Sequence, residues 1–200
     1  MNTENNDKMS SFERVNYFYG KVLTTEDFKA EQTYFQEKHR LINRCIFGWG
    51  IICGLNVSFH HEAVRIQPGF ALDCQGNEII VPEAVDLRLP ETETSQYIVI
   101  QYTEKLCRFV PAPDPVGTGD HDITQPTRIL ETYMINYRTD NPCKNHNRSG
   151  SICRLCKNPH AIPIAKIIFK RARWSVKRYP FWRHRWWVRL LLFLIVRKNR

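Results

Sequence analysis

Hydrophobic positions change their spacing once along this chain, near residue 48. Before that point Phe28, Phe35 and Ile42 recur every seven residues, with Tyr34, Leu41 and Cys45 beside them, while Glu31, Glu37, Lys38 and Arg44 fall elsewhere on the wheel. That spacing predicts an amphipathic helix over about 24–46. Thr24-Thr25-Glu26-Asp27 supplies hydroxyl and carboxylate acceptors for its first-turn amides, and glycines at 48 and 50 end it. Beyond it the period shortens toward two. Ile51 to Phe59 and Ala63 to Gln67 read as a hairpin around His60-His61-Glu62, and Pro68-Gly69 breaks the chain before a short strand at Phe70 to Leu72. Asp73-Cys74-Gln75-Gly76-Asn77 has turn chemistry, and further strands are expected at Glu78 to Pro82, Tyr97 to Thr103, Arg128 to Tyr137 and Ile162 to Phe169. The stretch from Pro111 to Pro126 is too polar for a core. The fold class expected is mainly β, barrel or sandwich-like, with one long N-terminal amphipathic α-helix and a C-terminal basic aromatic helical tail.

Composition narrows the class. A chain of 200 residues with 42% hydrophobic and 24% charged residues is one globular domain with an appendage. The net charge of +9 is an average of unlike parts: residues 1–165 carry −3 and residues 166–200 carry +12 with no acid. A uniformly basic nucleic-acid binder is therefore not the expected class. Residues 1–13 read as a disordered leader, 14–170 as the domain and 171–200 as a basic amphipathic tail. The polar start lacks a secretory pattern, and seven cysteines, an odd number, fit a reduced compartment, so a cytoplasmic location is expected.

Metal chemistry is suggested at one place. Cys143, Cys153 and Cys156, with His146 or His160 as a fourth ligand, have the spacing of a structural zinc knuckle over 143–160, since a Cys-x-x-Cys turn brings two thiolates to one tetrahedral ion. The competing reading is a reduced thiol pair in a polar loop. His60-His61-Glu62 is read as a solvated turn, because adjacent side chains on a strand diverge. Cysteines 45, 53, 74 and 107 sit beside apolar residues and are read as buried small hydrophobes. No nucleophile elbow, phosphate-cradling glycine loop or zincin helix occurs in the sequence, so no enzyme activity is expected.

The tail has its own chemistry. Trp174, Trp182, Trp186 and Trp187 interleave with Arg183, Arg185 and Arg189, and Leu190, Leu191, Leu192, Phe193 and Leu194 open a run of seven apolar residues. Base stacking would use the aromatics and arginines but not the aliphatic run. An interfacial helix uses both, with Trp at the headgroup level and Arg drawn to anionic lipid. Trp186 to Val196 would span only about 16 Å as a helix, too short to cross a bilayer of about 30 Å. Docking into a neighbouring subunit is the other reading.

Tyr17-Phe18-Tyr19-Gly20-Lys21-Val22-Leu23-Thr24-Thr25-Glu26-Asp27-Phe28, Glu31 to Phe35, Asn43-Arg44, Gly48 to Leu55 and Pro68 to Ile79 carry a resemblance. Over roughly residues 15–170 the chain resembles a family encoded in phage-tail-like contractile injection system clusters, accessory baseplate or fibre-attachment proteins. The resemblance implies a non-enzymatic structural part whose partners are other subunits of the particle. Phe28, Tyr34, Phe35 and Trp49 are the interface candidates, although the helix stripe could instead cover the domain's own sheet. The tail would tether the particle to a membrane, the thylakoid in a photosynthetic source, or to a neighbouring subunit. The alternative is a standalone zinc-stabilised module whose basic tail binds anionic lipid or nucleic acid.

Overall fold

Thr24 sets the start of the helix. In the computed structural model, which describes residues 11–111, 124–142 and 161–178, its hydroxyl accepts from the Asp27 amide at 3.3 Å while the Asp27 carboxylate accepts from the Thr24 amide at 3.0 Å. This reciprocal box opens α1 (Thr25–Ile42). A π-helical turn, Asn43–Phe47, closes it, with the Gly48 amide donating to the Asn43 carbonyl at 2.9 Å.

Ten strands follow among the described residues: β1 (Gly50–Gly54), β2 (Val57–His60), β3 (Ala63–Ile66), β4 (Gly69–Leu72), β5 (Glu78–Val81), β6 (Val85–Arg88), β7 (Gln96–Pro111), β8 (Thr124–Arg138), β9 (Ile162–Lys170) and β10 (Arg173–Arg178). They make up 51% of those residues, and they form three antiparallel sheets rather than the barrel that the short strands suggested. The orders are β1-β4-β5, β2-β3-β6 and β10-β9-β7-β8. The small sheets touch the large one where β5 meets β7 and β8, β1 meets β9, and β10 meets β2.

The division into two small sheets has a local cause. Where one strand from Ile51 to Phe59 was expected, Leu55 takes a positive φ of 51° and the chain turns a corner from β1 into β2. It returns from β3 to β4 at Gln67-Pro68. The two passes are tied by the Leu55 amide on the Pro68 carbonyl at 3.1 Å and the Gln67 amide on the Asn56 carbonyl at 2.8 Å. Gly54 has φ 65°, and a Cβ there would lie 2.1 Å from the Pro68 carbonyl oxygen. Only glycine fits so close an approach.

One core joins the sheets. Ile98, Ile100, Ile164 and Ile167 come from the large sheet, Val64 and Ile66 from β3, and Ile79 and Val81 from β5, all but inaccessible to water. Residues 162–165 are buried in succession, as befits a strand covered on both faces. Pro163 is tolerated there because the β7–β9 register shifts at Ile98/Val99.

The corner makes a stability prediction. Gly54→Ala forces a clash with backbone and should cost more than Gly48→Ala, where φ is also positive (74°) but nothing lies within 4 Å. The expected losses are about 1 kcal/mol at Gly48 and roughly 2–3 kcal/mol or more at Gly54. Denaturant unfolding of both variants measures the difference.

Candidate functional site

Asp73 organises the turn between β4 and β5. Its side chain is fully buried, and its carboxylate accepts from the amides of Gln75 (2.9 Å) and Asn77 (2.8 Å) and from the Asn77 side-chain amide (2.7 Å). Burial pushes its pKa above the ordinary carboxylate value, opposed by those hydrogen bonds and by the Arg40 charge. The folded turn presents carbonyl oxygens outward, to the end of α1. Asn43 Nδ2 donates to the Gly76 carbonyl (2.9 Å) and to Glu78 Oε1 (3.2 Å), and Arg44 Nη1 donates to the Gln75 carbonyl (3.0 Å). His39 Nε2 lies 3.3 Å from the same Glu78 oxygen. Gly76 is required because a Cβ would stand 2.3 Å from the Arg40 carbonyl oxygen.

The large sheet supplies the second part of this joint. Glu104 on β7 pairs directly opposite Glu131 on β8, a repulsive cross-strand arrangement. Arg40 Nη2 reaches to 3.9 Å from Glu104, and the Tyr102 hydroxyl donates to Glu104 at 2.7 Å. Burial, followed by that hydrogen bond, raises the Tyr102 pKa. The Arg40 guanidinium, paired with Glu37 at 2.9 Å, thus also brings the helix end to the hairpin at Glu104.

Beyond the joint α1 stands clear of the other described elements of the domain. None of its 18 residues is buried. Phe28, Phe35 and Ile42 are 52, 62 and 45% exposed, and Ile46 continues the stripe at 52%. Among the described residues the domain's own sheet does not cover the stripe, since Phe28, Phe35 and Ile42 stay about half exposed while the joint is made at the helix end, through His39, Arg40 and Asn43. An extended arm, residues 11–23, runs along the helix instead, held by Tyr17 on Glu31 (2.5 Å), Lys21 on Asp27 (2.8 Å) and Phe12 edge-on to Tyr34. The arm adds exposed Phe18, Tyr19, Val22 and Leu23.

A second projection comes from β7 and β8. Strand β9 pairs with β7 only from Gln96 to Ile100, whereas β8 continues alongside it to Pro111. The unsupported part is roughly 35 Å long at about 3.3 Å per residue. It exposes Leu106, Phe109, Ile129 and Leu130.

The residues singled out in the sequence fall in different settings. Phe28 and Phe35 lie on the exposed stripe, Tyr34 packs edge-on to Phe35 with ring centroids 5.2 Å apart, and Trp49 is partly buried just before β1. Trp174 is not part of a helical tail. It lies on β10, which pairs with β9 through Arg178, and its ring packs on Phe169 at 4.9 Å and against the core. Trp182, Arg183, Arg185, Trp186, Trp187, Arg189 and Leu190 to Leu194 lie outside the described residues. So do Cys143, His146, Cys153, Cys156 and His160, and among the described residues no three His, Cys, Asp or Glu side chains are grouped to hold a metal. His60 and His61 stack edge-on at the exposed β2–β3 turn. Cys45 and Cys53 are exposed, contrary to the buried role expected of them, while Cys74 is buried. No helix among the described residues is long and apolar enough to cross a membrane.

Asn43→Ala should free the helix end while sparing the core. Amide hydrogen exchange is expected to accelerate across residues 25–47 and to stay unchanged in β7 and β9, with a loss of about 1–3 kcal/mol in global stability from the orphaned Gly76 carbonyl.

No family model matches the chain, and no curated protein matches it in sequence. Solved structures give looser likenesses. The chain is similar to TssK in its crystal structure (TM-score 0.47, 11% identity) and to a chain of the TssK–TssF–TssG baseplate subcomplex of a type VI secretion system (0.47, 10%). A chain of the type VI secretion baseplate complex scores 0.43 at 10% identity. Each likeness covers 84% of this chain but only 41, 61 and 58% of the other. Likeness at this level assigns neither a family nor a role.

Proposed function

We propose that this chain is a non-enzymatic structural component of a phage-tail-like contractile injection particle, at its baseplate, and that α1 with its arm and the β7–β8 hairpin are its contacts with neighbouring subunits. The observation that carries this is the 18-residue helix with no buried residue and an apolar stripe facing water. A helix of that length is marginal alone in water, and its stability ordinarily comes from a packed face. Covering the exposed half of Phe28, Phe35, Ile42 and Ile46 would contribute roughly 3–5 kcal/mol. The segments behind the resemblance support the same reading. Asn43-Arg44, Gly54-Leu55, Pro68-Gly69 and Asp73 to Asn77 act here as joint and corner, shaping a scaffold instead of lining a reaction site.

Two finer elements belong to the proposal. The basic aromatic segment, now reduced to residues 179–200, would anchor the particle to a cytoplasmic or thylakoid membrane or to a neighbouring subunit. A structural zinc held by Cys143, Cys153, Cys156 and one of His146 or His160 would order residues 143–160.

Isolation of the particle from cells carrying a tagged copy tests the main reading. The chain should cosediment with sheath and tube proteins, and Phe28→Glu with Phe35→Glu should abolish incorporation while leaving the circular dichroism of the free chain unchanged. Wild-type incorporation of that double variant would remove α1 from the interface, and absence of the chain from purified particles would remove the reading itself. For the metal, one zinc per chain is expected in elemental analysis and should be lost in Cys153→Ser/Cys156→Ser.

A further inference from the structure

The stripe on α1 has a repeat of seven, not 3.6. Phe28, Phe35 and Ile42 fill one of the two positions of a heptad seam, with Gln32, His39 and Ile46 at the other, and a seven-residue spacing is the pattern that matches another helix winding against it. A stripe packed on a flat sheet has no need of the repeat. Phe35 and Ile42 of the stripe, with Glu31 and Lys38 beside them, also form one wall of an open groove whose other wall is the arm at Arg14 to Tyr17. That groove lies along the helix axis.

Charge along the helix identifies the occupant. Residues 25–33 carry a net −2 and residues 34–44 a net +2, so the two halves of α1 are opposite in sign. A surface acidic at one end and basic at the other is complementary to a second copy of itself turned end for end, which is the requirement of a two-fold interface. The flanking residues agree with that orientation. Glu31 and Lys38 lie on the same flank of the stripe, three residues beyond Phe28 and Phe35. In an antiparallel pair like flanks face each other, which brings Glu31 of each copy to Lys38 of the other, around a central contact of the two Phe35 rings. A parallel pair would set the acidic halves side by side and leave Glu31 against Gln32 and Gln36. Both charged groups retain bonding capacity: Glu31 Oε2 is taken by Tyr17 and Lys38 Nζ donates to Tyr34 at 3.1 Å, leaving a carboxylate oxygen and ammonium protons free to pair.

We infer that α1 pairs antiparallel with α1 of a second copy of this chain, seam on Phe28, Phe35 and Ile42, with reciprocal Glu31–Lys38 ion pairs fixing the direction. This rests on the reading that the stripe is an interface, and it is independent of the particle to which the chain belongs.

Sedimentation velocity on the purified full-length chain over a concentration series tests it. The wild type should show a reversible monomer–dimer equilibrium, and Phe35→Glu should leave only monomer with unchanged circular dichroism. Glu31→Lys and Lys38→Glu should each weaken the dimer about fivefold at low salt, since each disturbs two exposed pairs. The double swap Glu31→Lys/Lys38→Glu should restore it. A wild-type chain that stays monomeric, a dimer indifferent to Phe35→Glu, or a double swap no better than the single ones would overturn the inference. Monomeric wild type whose Phe35→Glu variant fails to enter particles would assign the stripe to a different subunit, overturning this inference and leaving the baseplate reading intact. Dimerisation only after removal of residues 179–200 would assign it to the chain's own C-terminal segment, with the same consequence.

Discussion

The attachment of α1 at one end is the constraint on which the rest of this structure depends. A buried carboxylate, Asp73, folds five residues into a turn that offers two carbonyl oxygens to Asn43 and Arg44. Without the turn those donors would lose the Gly76 and Gln75 carbonyls. Without Gly76 the helix backbone could not come close enough to use them. The bond to Glu78 and the approach of Arg40 to Glu104 then engage two different sheets, so the helix is fixed in direction although almost none of its surface is packed. Hydrogen bonds here do the work of position, where elsewhere in the domain buried isoleucines do.

What could be read from the sequence was whatever is determined within a few residues. The start of α1 was legible because Thr24 and Asp27 satisfy each other across three positions, and Gly48 marks its end. β4, β5 and β9 were legible as short apolar runs between turn residues. The corner at Leu55 was not, because a leucine with positive φ carries no local signal and is held there by Pro68, thirteen residues on. The distal half of β7 escaped notice for a related reason. Glu104, Lys105 and Arg108 interrupt its apolar content, Arg108 has φ 56°, and the strand exists through its pairing with β8. β6 is a four-residue strand defined only by its register on β3.

The stripe on α1 illustrates a deeper limit. Periodicity says which residues want to leave water, not what they will meet, and the same Phe28–Phe35–Ile42 pattern would serve an internal sheet or an external partner. The joint holds only the C-terminal end of the helix and leaves the stripe about half exposed among the described residues. Its parts are separated by more than thirty residues, with Asn43 in one segment and Gly76 in another, so no window of sequence contains it. The charge of +9 also divides along structural lines, since part of the basic segment, Arg173 to Arg178, belongs to the main sheet.

Fastening at a single end, as it stands among the described residues, makes α1 a lever. Its 18 residues reach about 27 Å from the fulcrum at Asn43, so a tilt of only about 10° there would sweep the far end, with Phe28 near it, through roughly 5 Å. Arg40 connects the same fulcrum to the base of the β7–β8 hairpin through Glu104. Force applied to the tip of the helix is therefore delivered, multiplied by the length of the arm, to the one turn built around Asp73 and to the root of the other projection.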